Sequence, residues 1–206
     1  SDSFEKVLEG VRHAVEIANE FDAKYIRVFS FYNNNRDDKV NAYRIMERFH
    51  KMSEISSAQK TILALENEMG TVADQPSIAK QIINEIGAQK LCAVFDAANY
   101  VRSNIDPMFA FQQLRQFIKI VHMKDALSKS DIPVPCGTGD GKIAAIMKEM
   151  VKKNSDLILS IEPHLKYYLG VDESGRSIEN YNKQVNGVDK IVLFSILRTF
   201  ISPSTV

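Results

Sequence analysis

The chain is poor in the features that several function classes require. Its 206 residues include only two cysteines, Cys92 and Cys136, far apart and with no CxxC pair. That excludes a disulfide framework and a thiolate zinc site, and it fits a reducing, cytoplasmic setting. Charge of one sign is not in excess, since 26 Lys and Arg balance 26 Asp and Glu. Neither a nucleic acid nor an anionic membrane is therefore expected as a partner. No apolar run approaches the ~18 residues of a membrane-crossing helix. The opening Ser1-Asp2-Ser3-Phe4-Glu5-Lys6 has neither a basic nor an apolar leader pattern, so a soluble protein is expected. No G-x-G-x-x-G joins a first strand to a helix. Gly137-Thr138-Gly139-Asp140-Gly141-Lys142 fails as a phosphate-binding P-loop, because Ile143 stands where Ser or Thr is needed and the glycine spacing is one residue short. Without repeats, low-complexity tracts or a linker, residues 1–206 read as a single domain.

What is present is a core-forming composition, 45% hydrophobic and 25% charged, arranged in alternating periods. Phe4, Val7, Leu8, Val11, Val15 and Ala18 have helical spacing. Tyr25 to Phe31 is short and rich in β-branched and aromatic residues, as strands are, and the polar run Asn33 to Asp38 ends it. The pattern then predicts helices near 39–56, 77–86, 107–117, 142–153 and 189–201. Strands are predicted at Thr61–Glu66, Leu91–Asp96, Ile118–His122 and Leu157–Glu162. Five strands alternating with helices imply an α/β fold with parallel strands and crossover connections.

The informative feature is how these strands end. Four of the five finish in an ionisable residue, Glu66, Asp96, His122 and Glu162, at the C-terminal edge where α/β folds place their sites. Counting back by two gives Ala64 and Ile62, Val94 and Cys92, Ile120 and Ile118, Ser160 and Ile158, residues suited to an interior face. All four ionisable groups should point inward together. Three carboxylates around one point repel one another unless a cation neutralises them. The oxygen-rich set with one nitrogen suits a divalent ion, Mn²⁺ first, with Mg²⁺, Co²⁺ or Zn²⁺ as alternatives.

Leu65-Glu66-Asn67-Glu68, Phe95-Asp96-Ala97-Ala98-Asn99-Tyr100-Val101, Val121-His122-Met123-Lys124-Asp125, Val134-Pro135-Cys136-Gly137-Thr138-Gly139-Asp140-Gly141 and Leu159-Ser160-Ile161-Glu162-Pro163-His164-Leu165 resemble, in order, the motifs of the xylose isomerase-like TIM-barrel family. The resemblance covers residues 4 to 200. It implies a (β/α)8 barrel, of which this chain holds the C-terminal five strand-helix units, the first three being absent. It implies a sugar or sugar phosphate isomerase or epimerase whose metal is held by Glu66, Asp96, His122 and Glu162. Proton removal next to a carbonyl would have Glu66 and Glu162 as base and acid, as in the ketose 3-epimerase branch, with the cation stabilising the enediolate.

Lys124, Asn99 and His164 overhang the same edge and are candidate contacts to substrate hydroxyls. Arg27, Glu68 and Asp125 are candidates for orienting the ligands, Arg27 needing a partner such as Glu66. The three loop glycines and Asp140 could offer backbone N–H groups to a phosphate. Related endonucleases carry His where this chain has Asn99, which counts against the alternative of an endonuclease-like metallohydrolase. A catalytically silent sugar-binding protein is the other alternative. Open edges at Tyr25–Phe31 and Leu157–Glu162, expected as the two ends of the sheet, would allow association between copies.

Overall fold

Leu91–Asp96 is, among the described strands, the one whose residues are all buried, and it becomes the central strand. A strand covered on both faces can be continuously apolar, as this one is up to its last residue. In the computed structural model, which describes residues 2–32, 39–128, 132–151 and 156–162, the order is α1 (Asp2–Glu20), β1 (Tyr25–Phe29), α2 (Lys39–Ala58), β2 (Ile62–Glu66), a 3-10 turn (Val72–Asp74) and α3 (Pro76–Ile86). There follow β3 (Leu91–Asp96), α4 (Ala97–Arg102), α5 (Pro107–Leu114), β4 (Ile118–Met123), β5 (Asp125–Leu127), β6 (Ile132–Val134), α6 (Ile143–Val151) and β7 (Ile158–Ile161). The main sheet has the order β1-β2-β3-β4-β7. Pairs β1/β2, β2/β3 and β4/β7 are parallel. The two strands expected at the ends are at the ends, and Phe29 and Ile161 on them stay exposed.

The chain divides into two compact units, Ser1–Val94 with Gln113–Lys119, and Phe95–Gln112 with Ile120–Val206. In the first, α1 buries Leu8, Val11, Val15 and Ala18 at helical spacing, whereas Val7, expected in that stripe, is exposed. Phe31 meets Phe4 and Phe49 edge to face, with centroids 6.3 and 5.9 Å apart. The helix α3 shows its grammar in sequence. Pro76 opens it, Ala79, Ile82, Ile83 and Ile86 fill its buried face, and Gly87 at φ 94° closes it by donating its N–H to the Ile83 carbonyl. The loop between β2 and α3 is fastened to the chain leaving β1. Val72 N–H donates to Phe31 O, and Ala73 N–H to Ser30 Oγ.

The second unit departs from expectation at two places. A separate helix, α4, starts directly from the end of β3, because Asp96 accepts the Asn99 N–H and serves as its cap with no loop between. The stretch before the glycine loop, expected as loop only, carries the antiparallel pair β5/β6. Its core joins Phe95 to Tyr100 and Phe111, centroids 5.3 and 6.2 Å apart. Asp106 caps α5 through the Met108 and Phe109 N–H groups and pairs with Lys142 at 2.5 Å, which holds its carboxyl below the usual range. The expected helix near 189–201, and the polar stretches 33–38 and 166–182, lie outside the described residues.

The glycine loop is built around Asp125, which is 1% exposed. Its Oδ2 accepts the N–H groups of Gly137 and Gly139, both at 3.0 Å. Its Oδ1 accepts those of Gly141 at 2.8 Å and Ala126 at 2.9 Å. Asp140 in turn accepts the N–H and Oγ–H of Ser128. A Cβ on Gly139 or Gly141 would stand 2.5 or 2.6 Å from Asp125 Oδ1, so these positions need glycine for space. Asp125→Ala, which strands three loop N–H groups, is expected to cost about 3–5 kcal/mol in urea unfolding. Gly141→Ala should cost about 1–3 kcal/mol, and the double variant less than the sum, because the clashing carboxylate is gone. Gly10→Ala, with nothing within 4 Å of the added methyl, should instead be neutral or gain up to about 1 kcal/mol.

Candidate metal and substrate site

Within the second unit three of the expected ligands come together. Asp96, His122 and Glu162 each offer one ligand atom, and these atoms lie within 4.8 Å of one another. His122 Nδ1 is 3.8 Å from Asp96 Oδ2 and 3.6 Å from Glu162 Oε2. The backbone explains the meeting of His122 and Glu162. Register pairs His122 with Ser160, and Glu162 lies two residues further along, on the same side of the pleat. Asp96 and His122 are buried, while the Glu162 side chain keeps 28% of its exposure.

Asp96 is fixed by its two oxygens having different partners. Oδ1 accepts the Asn99 N–H at 2.9 Å as the cap of α4, and Oδ2 turns toward His122 and Lys124. Lys124 reaches the cluster because the chain turns tightly after β4, its N–H donating to the His122 carbonyl two residues back. The ammonium lies 3.3 Å from Asp96 Oδ2, 3.9 Å from Glu162 Oε2 and 3.3 Å from Asn99 Oδ1. Lys124 is only 6% exposed, so its charge sits where the carboxylates need it.

Glu66 ends β2 in the first unit at 1% exposure, with its Oε2 3.1 Å from Arg27 Nη1. Arg27 is half-exposed, and its guanidinium lies 5.0 Å over the Phe29 ring, which fixes the plane of the fork. Register sets Phe29 beside Glu66 and Arg27 beside Ala64. A long side chain rising from one level below thus meets the carboxylate.

Three of the expected contributors have partners within the chain. Asp125, expected to orient ligands, spends its carboxylate on four backbone N–H groups instead. For the same reason the glycine loop does not offer those N–H groups to a phosphate, since an internal anion already fills the nest. Asn99, expected to touch substrate hydroxyls, is 0% exposed, and its Oδ1 accepts from Lys124. Three positions after a capping aspartate, Asn99 sits in the first turn of the helix. Glu68 is half-buried, and its carbonyl accepts the N–H and Oγ–H of Thr71. His164 lies outside the described residues.

Both thiols are poor ligands. Burial pushes Cys92 up to about 12, and burial with the nearby charges of Asp125 and Asp96 does the same to Cys136. The role of Asn99 in holding Lys124 was missed at the level of sequence. Its signal was the Asp-x-x-Asn spacing across a strand-to-helix junction.

The chain matches the family described as xylose isomerase-like TIM barrel over residues 1–183. It is 26% identical over 129 residues to a 3-dehydroshikimate dehydratase of Bacillus anthracis. That stretch is 62% of this chain and 46% of that protein, so the chain spans less than half the length of this curated relative. Among solved structures, a D-tagatose 3-epimerase-like protein aligns with a TM-score of 0.70 at 19% identity, over 96% of this chain and 72% of that one. A xylose isomerase-like TIM barrel protein of Mycobacterium smegmatis, in complex with magnesium, aligns with a TM-score of 0.65 at 17% identity, over 94% and 68%. Because the family match takes in 183 of 206 residues, far more than half, the chain belongs to the xylose isomerase-like TIM barrel family.

Proposed function

We propose that this chain carries the strand-end site of a metal-dependent sugar or sugar phosphate isomerase or epimerase, with Glu66, Asp96, His122 and Glu162 as the ligands of one divalent cation. The observation that carries the reading is the meeting of two carboxylates and an imidazole nitrogen in a buried place. Oxygen donors with one nitrogen fit Mn²⁺ first, with Mg²⁺, Co²⁺ or Zn²⁺ as alternatives, better than a soft metal. Glu66 is the fourth ligand on the strength of its burial and of the strand pleat. It pairs in register with Val94, and Asp96 lies two residues beyond Val94 on the same side. Bound there, the cation would supply Lewis acidity toward the carbonyl and adjacent hydroxyl oxygens of a sugar.

The chain's own residues supply the rest. Glu162, partly open to the mouth, takes the proton from the carbon next to the carbonyl at one carboxylate oxygen. Glu66, paired with Arg27, is proposed as the partner acid: it takes up a proton from water before the turnover and gives it to the carbon, while the proton on Glu162 passes to water. Lys124 directs its ammonium at substrate oxygen, and Asn99 holds that lysine in place. His164 is proposed as a further donor to a substrate hydroxyl. Asp96, locked by the α4 cap, has one oxygen to give and cannot rotate without uncapping the helix.

The likeness to a 3-dehydroshikimate dehydratase favours a second reading, dehydration of a β-hydroxy carbonyl compound. The same proton is removed, and the electron pair then expels the β-hydroxyl as water. Turnover of ketoses, ketose phosphates, hydroxypyruvate and 3-dehydroshikimate in deuterated water, with Mn²⁺ restored after chelation, separates the readings. One solvent deuterium next to the carbonyl of an isomerised or epimerised product is expected. A hydride shift leaves no deuterium, a dehydratase forms a product one water lighter, and inactivity on every carbonyl compound rejects proton abstraction altogether. His122→Ala is expected to weaken divalent-ion binding by at least about a hundredfold, read by elemental analysis after gel filtration, with far-UV circular dichroism unchanged. Unchanged metal content would refute the ligand set.

A further inference from the structure

Lys124 touches the same oxygens that the proposed cation would use. Its Nζ is 3.3 Å from Asp96 Oδ2 and 3.9 Å from Glu162 Oε2, the atoms that also face His122 Nδ1. Asp96 Oδ1 is turned to the Asn99 N–H, and Oδ2 is the oxygen that faces His122 and Lys124. An ammonium and a divalent cation that share these two carboxylate oxygens repel each other at close range in a buried setting. The ammonium has a further acceptor, the neutral Asn99 Oδ1, at 3.3 Å. Asn99 projects it from α4, the helix that Asp96 itself caps.

We propose that Lys124 is the built-in counter-ion of this site. Its ammonium holds Asp96 and Glu162 in place while no cation is bound, and it withdraws onto Asn99 Oδ1 when a divalent ion takes their oxygens. The inference rests on the ligand set proposed above. It adds that metal entry is an exchange of cations rather than the filling of an uncompensated cluster. Two consequences follow from charge alone. Without the ammonium, the ion-free protein keeps the buried Asp96 and the half-buried Glu162 carboxylates near one another and loses stability. For the same reason it binds a divalent ion more tightly, because no resident charge must be moved.

The test is calorimetric titration of Mn²⁺ and of Mg²⁺ into chelator-stripped protein, together with thermal unfolding with and without the ion. Lys124→Met keeps the length of the side chain and removes its charge. It is expected to lower the Tm of the stripped protein, to tighten Mn²⁺ binding by about tenfold, and to show a larger metal-induced rise in Tm than the wild type. Lys124→Arg, which keeps the charge, should restore the stripped-protein Tm. Asn99→Ala, which removes the acceptor for the withdrawn ammonium, should weaken Mn²⁺ binding severalfold in the wild type yet leave it unchanged in Lys124→Met, a coupling that a purely structural role for Asn99 does not produce. If wild-type protein binds Mn²⁺ while Lys124→Met binds it equally or more weakly, the counter-ion is wrong and the ligand set stands. If neither protein binds Mn²⁺ or Mg²⁺, the ligand set has failed.

Discussion

The carboxylate of Asp96 is the constraint on which the second unit turns. It is fully buried, and its two oxygens are committed in opposite directions, one to the first turn of α4 and one to His122 and Lys124. A buried carboxylate needs a hydrogen-bonding and charge partner at each oxygen or it is lost to protonation. Here one partner is a helix N-terminus, whose dipole favours the anion, and the other is a side-chain ammonium. Because the helix begins at the strand's last residue, the cap and the site residue are one and the same. Local folding therefore sets the aim of Oδ2 to within the stiffness of a helical turn.

Asp125 repeats the device three residues after His122, with a different outcome. Its carboxylate is consumed by four backbone N–H groups, and the loop from Gly137 to Gly141 is wound round it. A nest of N–H groups is an anion site whichever anion fills it. When the anion belongs to the chain, the nest becomes a fastener. In the first unit the loop after β2 is tied down by other means, through Ser30 and the chain leaving β1. In both units the segments beyond the strand ends are attached by buried polar contacts, as loops that must present side chains in fixed places require.

The relatives differ in chemistry, one a curated dehydratase and one epimerase-like by its description. Dehydration and epimerisation nevertheless share their first step, removal of a proton made acidic by a neighbouring carbonyl. The outcome then depends on what the loops hold against the substrate and on whether a leaving group lies one carbon away.

The alternation of strands and helices, the ends of the sheet and the ionisable residues closing four strands were legible in the sequence. The reason is that pleat and helical periods act over a few residues, and burial enforces them at Leu91–Asp96 and along α1 and α3. Donor chemistry was legible as well, since it depends on residue type. What the sequence did not determine was the partner of each polar group. Asn99 and Asp125 had the composition of substrate contacts and ligand supports, yet tertiary packing gave one to Lys124 and the other to glycine N–H groups 12 to 16 positions away. A carboxylate or amide is satisfied by whichever donor comes within about 3 Å. That distance is fixed only once strands, turns and loops have packed, so residue types were decided by the chain and their partners by the fold.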